Sequence, residues 1–399
     1  MPAPGGRGMA AGMIYLDANA TTPLLPEVLE AMLPWMQGRF GNPSSAHSGG
    51  RRARRAVEAA RAQVAGLMGA VPEEMVFTSG ATESINSVLL FAQQEWPDRP
   101  VLVISAVEHA ATVEAATRWQ ARGGEVRRIP VDSQGRLDLE ALERALEPGR
   151  VALVSMIWGN NETGVITPME EVVRLCHAAG TLVHADAVQM VGKVALDLKA
   201  VPVDYLSLSG HKMHGPQGMG ALFVSHHAPF RPLLVGGGQE GGRRSGTENV
   251  AGIVGMGVAA ELASAWLAEN GPAALAAKRD RLEKTLLQGW QGAGVHGAQA
   301  ERLPGTSSIC FPGIDAAAML IRLDQRGIAC SGGSACHTAS LHPSHVLEAM
   351  GCDATSAACT LRLSLSRLTT QEEIEKAAQE ILKSARHIAE QQQNFQKIH

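Results

Sequence analysis

Seven short apolar runs, each followed by small or polar residues and then by a helical pattern, constrain this chain more than any other feature of it. They cover residues 75–78, 101–105, 125–130, 151–156, 181–185, 205–209 and 221–224. Short runs separated by helical spacers predict a largely parallel sheet with helices over its faces. An alanine-rich stretch over 51–69 predicts a helix ahead of them. Beyond about Val250 the texture changes to a long helical segment reaching about Gln291, short strands near 307–311, and a helix-rich stretch from Gln371 to the end. The expectation is an α/β chain with a large, mostly parallel seven-stranded sheet domain over 14–260 and a smaller α+β domain over 261–399. Residues 14–25, through Thr21-Thr22-Pro23, are expected to return to the small domain or to lie across the joint. Residues 1–13, with Pro2, Pro4, Gly5 and Gly6, read as a loose leader.

A chain of 399 residues is long enough for that division. Its net charge of −4, from 35 basic and 39 acidic side chains, lacks the basic excess that nucleic-acid or membrane partners leave. Arg51, Arg52, Arg54 and Arg55 read as one solvated helix face. No apolar run is read as reaching the roughly 18 residues that span a bilayer, and the leader lacks the apolar centre of a secretory signal, so a cytoplasmic location is expected. The six cysteines form no C-x-x-C pair, which argues against a zinc site or a thioredoxin-like couple. Most are expected to be reduced, small, buried hydrophobes.

In open α/β sheets, ligands bind at the carboxyl ends of the strands, and the chemically active residue types fall there repeatedly. Lys212, in Ser209-Gly210-His211-Lys212, follows one run and precedes Gly215-Pro216 and Gly218. Alone it would be a surface charge; a lysine held in a tight glycine turn can form the Schiff base that pyridoxal phosphate requires. That cofactor also needs a carboxylate against its ring nitrogen, and Asp186 ends the preceding run. Its bland role would be a helix N-cap. The strand-to-helix stretch Thr78-Ser79-Gly80-Ala81-Thr82 offers backbone N–H groups and hydroxyls to a phosphate. Glu108-His109 ends another run, where an imidazole could stack on a flat ring.

Together these motifs resemble the class V aminotransferase family of fold-type I pyridoxal-phosphate enzymes, and more narrowly the cysteine desulfurases of the NifS/IscS type. The resemblance runs from Tyr15-Leu16-Asp17-Ala18-Asn19-Ala20-Thr21-Thr22-Pro23 to Leu361-Arg362-Leu363-Ser364. Between them stand Phe40-Gly41-Asn42-Pro43-Ser44-Ser45-Ala46-His47, Asn160-Asn161-Glu162-Thr163-Gly164 and Arg243-Arg244-Ser245-Gly246-Thr247-Glu248-Asn249. It implies that Lys212 binds the cofactor covalently, that Asp186 pairs with the ring nitrogen and Gln189 with the ring hydroxyl, and that His109 stacks and shuttles protons. It assigns the phosphate to Ala81, Thr82, Ser209 and His211, with Thr247 reaching it from the other subunit of a homodimer. Asn161 and Arg362 would position the substrate, Arg362 through its carboxylate.

The stretch Cys330-Ser331-Gly332-Gly333-Ser334-Ala335-Cys336-His337 is similar to the family's persulfide loop and places that role on Cys336, ahead of Cys330 on the same loop. The resemblance implies that L-cysteine is converted to alanine, with its sulfur carried as a persulfide on Cys336 to an acceptor protein such as an iron–sulfur scaffold. His337 could hold Cys336 as a thiolate. Alternatives on the same fold are a selenocysteine lyase, a small-amino-acid aminotransferase, which would have no use for Cys336, and a catalytically silent sulfur-transfer scaffold.

Overall fold

The computed structural model describes residues 12–332 and 344–398, with side chains to 392. In chain order, β1 (Ile14–Tyr15) leads to α1 (Pro26–Gln37), α2 (Ser48–Gly66), β2 (Met75–Thr78), α3 (Ala81–Glu95), β3 (Val101–Ser105) and α4 (Ala110–Ala121). Then come β4 (Glu125–Ile129), α5 (Leu139–Ala145), β5 (Val151–Ile157), α6 (Met169–Ala178), β6 (Leu182–Asp186), β7 (Tyr205–Ser209) and β8 (Gly220–Val224). The remainder is α7 (Val250–Ala268), α8 (Gly271–Gly289), β9 (Gly294–Val295), β10 (Thr306–Cys310), α9 (Ala316–Gln325), β11 (Ile328–Ala329), β12 (Ser331–Gly332), α10 (His345–Ala349), α11 (Ala354–Ala358), β13 (Thr360–Ser364) and α12 (Gln371–Ile398).

All seven apolar runs become strands of one sheet, ordered β2-β8-β7-β6-β5-β3-β4. Neighbours from β7 to β4 pair in parallel, while β8 runs antiparallel to both β2 and β7. Alternate side chains along a strand face opposite cores, as the pleat demands. Leu102 and Ile104 of β3 pack with Ile85, Leu89 and Trp119 of α3 and α4. Val101 and Val103 join the opposite core with Val57, Val64 and Val172. Both faces are therefore covered along most of the sheet, which is why its strands read as apolar runs; the edge strand β4, with only Ile129 buried, is the exception. Glycine is required at 220, where a Cβ would stand 2.6 Å from Gly80 Cα and 2.7 Å from Leu208 O. That close approach seats β8 beside the turn that opens α3.

A second, antiparallel sheet, β12-β13-β10-β9, has its own core, in which Ile309, Leu361 and Leu363 pack against Leu282, Leu286, Met319 and Ile381. The chain start returns to this sheet: β1 pairs in parallel with β11, and Asp17 bridges to Ser364. Thr22 then bonds to His211 beside the large sheet, so the N-terminal segment spans both.

Three expectations are corrected. The helical segment beyond Val250 is two helices, because Asn270 adopts a left-handed backbone (φ 61°) and Pro272 opens the next helix. Helix α7, 19 residues, is long and apolar enough to cross a membrane by length and composition, contrary to the reading that no run reaches that length; here it packs on α1 and α2. Cys330 does not sit on a free loop but joins two short strands, β11 and β12.

Candidate active site

A cavity of about 350 Å³ opens at the carboxyl ends of β5, β6 and β7 and is lined by Ala81, Thr82, His109, Asn161, Asp186, Gln189, Ser209, His211, Lys212 and Arg362. Of the expected site residues that the structure describes, these ten meet in one place. Thr247 does not line the cavity of its own chain; it is exposed in the loop that precedes α7. Cys336 and His337 lie outside the described residues. The residues flanking that segment contact Arg362 and the chain neighbours of Asn161 and His109. Ser331 pairs with Arg362, Ser344 Oγ donates to Glu162 Oε2 at 2.5 Å, and His345 Nε2 lies 2.9 Å from Glu108 O.

Most of these side chains are delivered by strand ends, helix starts or the turns that follow the strands. Asp186 is the last residue of β6, where its buried carboxylate accepts from Val188 N at 3.1 Å. Burial pushes its pKa up, against the opposing pull of the His109 and Lys212 charges. Such a carboxylate suits a cationic ring N–H. His109 caps α4, accepting from Ala111 N through Nδ1. Lys212 follows β7, and its Nζ donates to the carbonyls of Asn19 and Ala20 at 2.5 and 2.6 Å. Next to it, burial and the charges of Lys212 and Lys193 push His211 down to about 4, so its ring is neutral at pH 7.

The start of α3 supplies an anion seat. The first N–H groups of a helix have no intrahelical partner. Ala81 N donates to Ser209 Oγ at 3.0 Å, which puts the hydroxyl at the helix mouth beside Thr82. Helix terminus, hydroxyls and neutral imidazole together form a phosphate donor set. With a buried carboxylate, an amine and an imidazole around one cavity, the residues present fit pyridoxal phosphate.

The opposite wall comes from the small sheet. Arg362 of β13 is 2% exposed; its Nη2 donates to Asp17 Oδ1 at 2.8 Å and its Nη1 to Asn161 O at 3.3 Å. Its buried Nε has no hydrogen-bond partner among the described residues, and the residue lines the cavity.

Several residues at the site gave no sequence signal of a role. Glu108 is fully buried and pushed up to about 8 by burial, with the Asp186 charge adding to it. Its Oε1 accepts from Ser105 and from Ile157 N, and its Oε2 is without a partner among the described residues. Asn19 joins the N-terminal segment to both sheets: its amide donates to Thr306 Oγ1 and Asn161 O, and its own N–H to Ser364 Oγ. Lys193 bonds to Asn19 and Gln189. Its four-residue spacing from Gln189 could have exposed it. Burial and the Asp17 charge push the Cys330 thiol up to about 12, against a smaller opposing pull from Arg362.

Comparison with known proteins places this geometry. Residues 14–377 match the model of the family described as aminotransferase class-V. A cysteine desulfurase of Sinorhizobium fredii is 47% identical over 365 residues, covering 91% of this chain and 94% of that protein. The cysteine desulfurase NifS of Azotobacter vinelandii is 46% identical, covering 92% and 91%. Among solved structures, a NifS-like protein superposes with a TM-score of 0.87 at 38% identity, over 93% of this chain and 98% of that one. A structure described as SspA in complex with cysteine gives 0.79 at 32%, over 89% and 99%. With the fold, the strand-end cavity and a match over most of its length in agreement, the chain belongs to the class-V aminotransferase family.

Proposed function

We propose that this chain is a pyridoxal-phosphate-dependent cysteine desulfurase that takes sulfur from L-cysteine onto Cys336 and leaves alanine. The observation that carries the reading is the convergence of buried Asp186, Lys212, His109 and the α3 N-terminus on one cavity that Arg362 also lines. When bound, the cofactor supplies an electron sink that makes the Cα proton of an amino acid acidic. The protein supplies the rest. Arg362 grips the substrate carboxylate. Asp186 gives the protonated ring nitrogen its counter-charge. Lys212, as an unprotonated amine, takes the Cα proton. The Cys336 thiolate attacks the substrate Sγ, so an S–S bond forms as the C–S bond breaks, and the carbon left behind is protonated to alanine.

The wider assignment follows the same reading. The protein is a homodimer in which Thr247 of each subunit completes the phosphate seat of the other. The smaller domain, residues 261–399, carries the Cys336 segment. The persulfide is handed to a protein acceptor such as an iron–sulfur scaffold. Alanine and sulfide released from L-cysteine under a reductant, wild type against Cys336→Ala, test the proposal. Equal yields from wild type and none from a variant that keeps its bound cofactor are expected. A wild type that binds the cofactor but makes no sulfide would overturn the desulfurase reading and turn attention to selenocysteine and transamination.

A further inference from the structure

A second lysine stands beside Lys212 and is not explained by the chemistry above. Lys193 lies in the helical turns after β6, where Val191 N and Lys193 N bond back to Ala187 O and Met190 O. Four positions apart on such turns, Gln189 and Lys193 face the same way. The Lys193 Nζ donates to Gln189 Oε1 and, at 3.0 Å, to Asn19 Oδ1. No carboxylate among the described residues forms an ion pair with it. A part-buried lysine without a counter-ion costs stability, so its retention beside the cavity calls for a use.

Its use follows from what a lysine head can and cannot do. In the structure that head donates to the oxygen of each amide beside it, and this decides which way each amide faces. With Oε1 held by Lys193, the Gln189 amide nitrogen faces the other way. One of its two hydrogens goes to Asn19 O at 3.0 Å, and the second is left for the cavity that Gln189 lines. The same lysine holds Asn19 Oδ1, so that the Asn19 amide nitrogen reaches Thr306 Oγ1 and Asn161 O. The Asn19 carbonyl thus receives both Gln189 and Lys212.

We propose that Lys193 is a positioning residue for cofactor binding: by holding Gln189 Oε1 and Asn19 Oδ1 it fixes both amides in one orientation and keeps an N–H of Gln189 aimed at the bound cofactor's ring oxygen. The inference rests on the pyridoxal-phosphate reading. Without Lys193 the Gln189 amide can turn over and present an oxygen to that ring oxygen, a repulsion in place of a hydrogen bond. The charges of Lys212 and Arg362 lie close by; with burial leading, they hold the Lys193 pKa well below the usual lysine range. Removing Lys193 therefore deletes a donor without breaking an ion pair.

The test is the dissociation constant of pyridoxal phosphate, measured by absorbance on the purified full chain after cofactor removal. Lys193→Met is expected to weaken binding about tenfold, the weight of one hydrogen bond to a charged group. The decisive comparison is a double-mutant cycle: in a Gln189→Leu background, Lys193→Met should cost less than about twofold more, because the amide it orients is gone. A merely structural lysine would cost the same factor in both backgrounds, and that result overturns the proposal, as does a Lys193→Met variant that binds like wild type. If Lys193→Met does not fold, Lys193→Gln takes its place in the same cycle, where equal costs in the two backgrounds again overturn the proposal. A wild-type chain that fails to bind pyridoxal phosphate would instead sink the cofactor reading itself.

Discussion

Arg362 and Asp17, 345 positions apart in the chain, form an ion pair at 2.8 Å, in which Arg362 is almost fully buried. The pair joins the N-terminal segment to β13 and holds the guanidinium at the wall of the cavity. The fork is thereby oriented before substrate arrives. A lysine at 362 would keep the charge but lose the planar fork. Arg362→Lys is expected to raise the KM for L-cysteine by about 10- to 100-fold, with a smaller effect on kcat, because ground-state grip is what is lost. Initial-rate kinetics check this; a KM within twofold of wild type would remove Arg362 from the substrate site.

The two cysteines in the sequence 330–336 should behave as opposites. The Cys330 thiol, pushed up to about 12, is almost wholly protonated near pH 8 and so is a poor nucleophile. Cys330→Ala is expected to keep kcat within about twofold of wild type. Iodoacetamide on the folded protein should leave Cys330 unlabelled by mass spectrometry while it inactivates the enzyme. Rapid alkylation of Cys330 would show that the thiolate forms there after all.

Glu108 carries a pH signature. Its folded-state pKa of about 8 stands above the ordinary 4.5. Between those values the folded chain keeps a proton that the unfolded chain has released, so this group's contribution to stability is full below about 4.5 and declines as pH rises toward 8. Glu108→Gln cannot ionise. Its melting temperature should therefore fall less than that of wild type between pH 5 and pH 8. Parallel melting curves for the two proteins over that range would disprove the assignment.

Arg61 and Glu240 form a second buried pair, Nη1 to Oε2 at 2.6 Å, and Glu240 Oε2 also accepts from Phe77 N. Glu240 tolerates a left-handed backbone (φ 52°) to make it. Cutting one partner strands a buried charge, so Glu240→Ala is expected to destabilise the fold by about 3–5 kcal/mol. The double variant Arg61→Met with Glu240→Leu should cost clearly less. Urea melts of the three proteins decide it, and equal losses in single and double variants would contradict the argument.

Much of this fold was legible because burial on both faces writes itself into sequence as unbroken apolar runs. The buried strands of the large sheet announced themselves in that way; the edge strand β4, Glu125–Ile129, carries two arginines and buries only Ile129. The reversal of β8 follows from its connection to β7, ten residues without an α-helix, which is too short for a parallel crossover. The break at Asn270 was hidden because an alanine-rich pattern continues on both sides of it. At the site, residues that line the cavity near strand ends stood out by type and place. Lys193, Asn19 and Glu108 did not: each has partners far away in the chain, Asn19 for Lys193, Thr306 for Asn19 and Ile157 for Glu108. The role expected of Cys336 falls outside the described residues and rests on the similarity of its motif.

The span of Asn19 has a consequence for how the protein is made. Asn19 leaves the ribosome long before its partners Thr306 and Ser364, which stand 287 and 345 positions later. Closing a loop of that length is slow, and it cannot begin before β13 has emerged. The large sheet can assemble during synthesis, but the wall of the cavity that Asn19 and Arg362 share waits for the small sheet. Cofactor uptake should then follow the synthesis of β13, so that a chain truncated ahead of that strand would hold a folded sheet and an open, leaky seat.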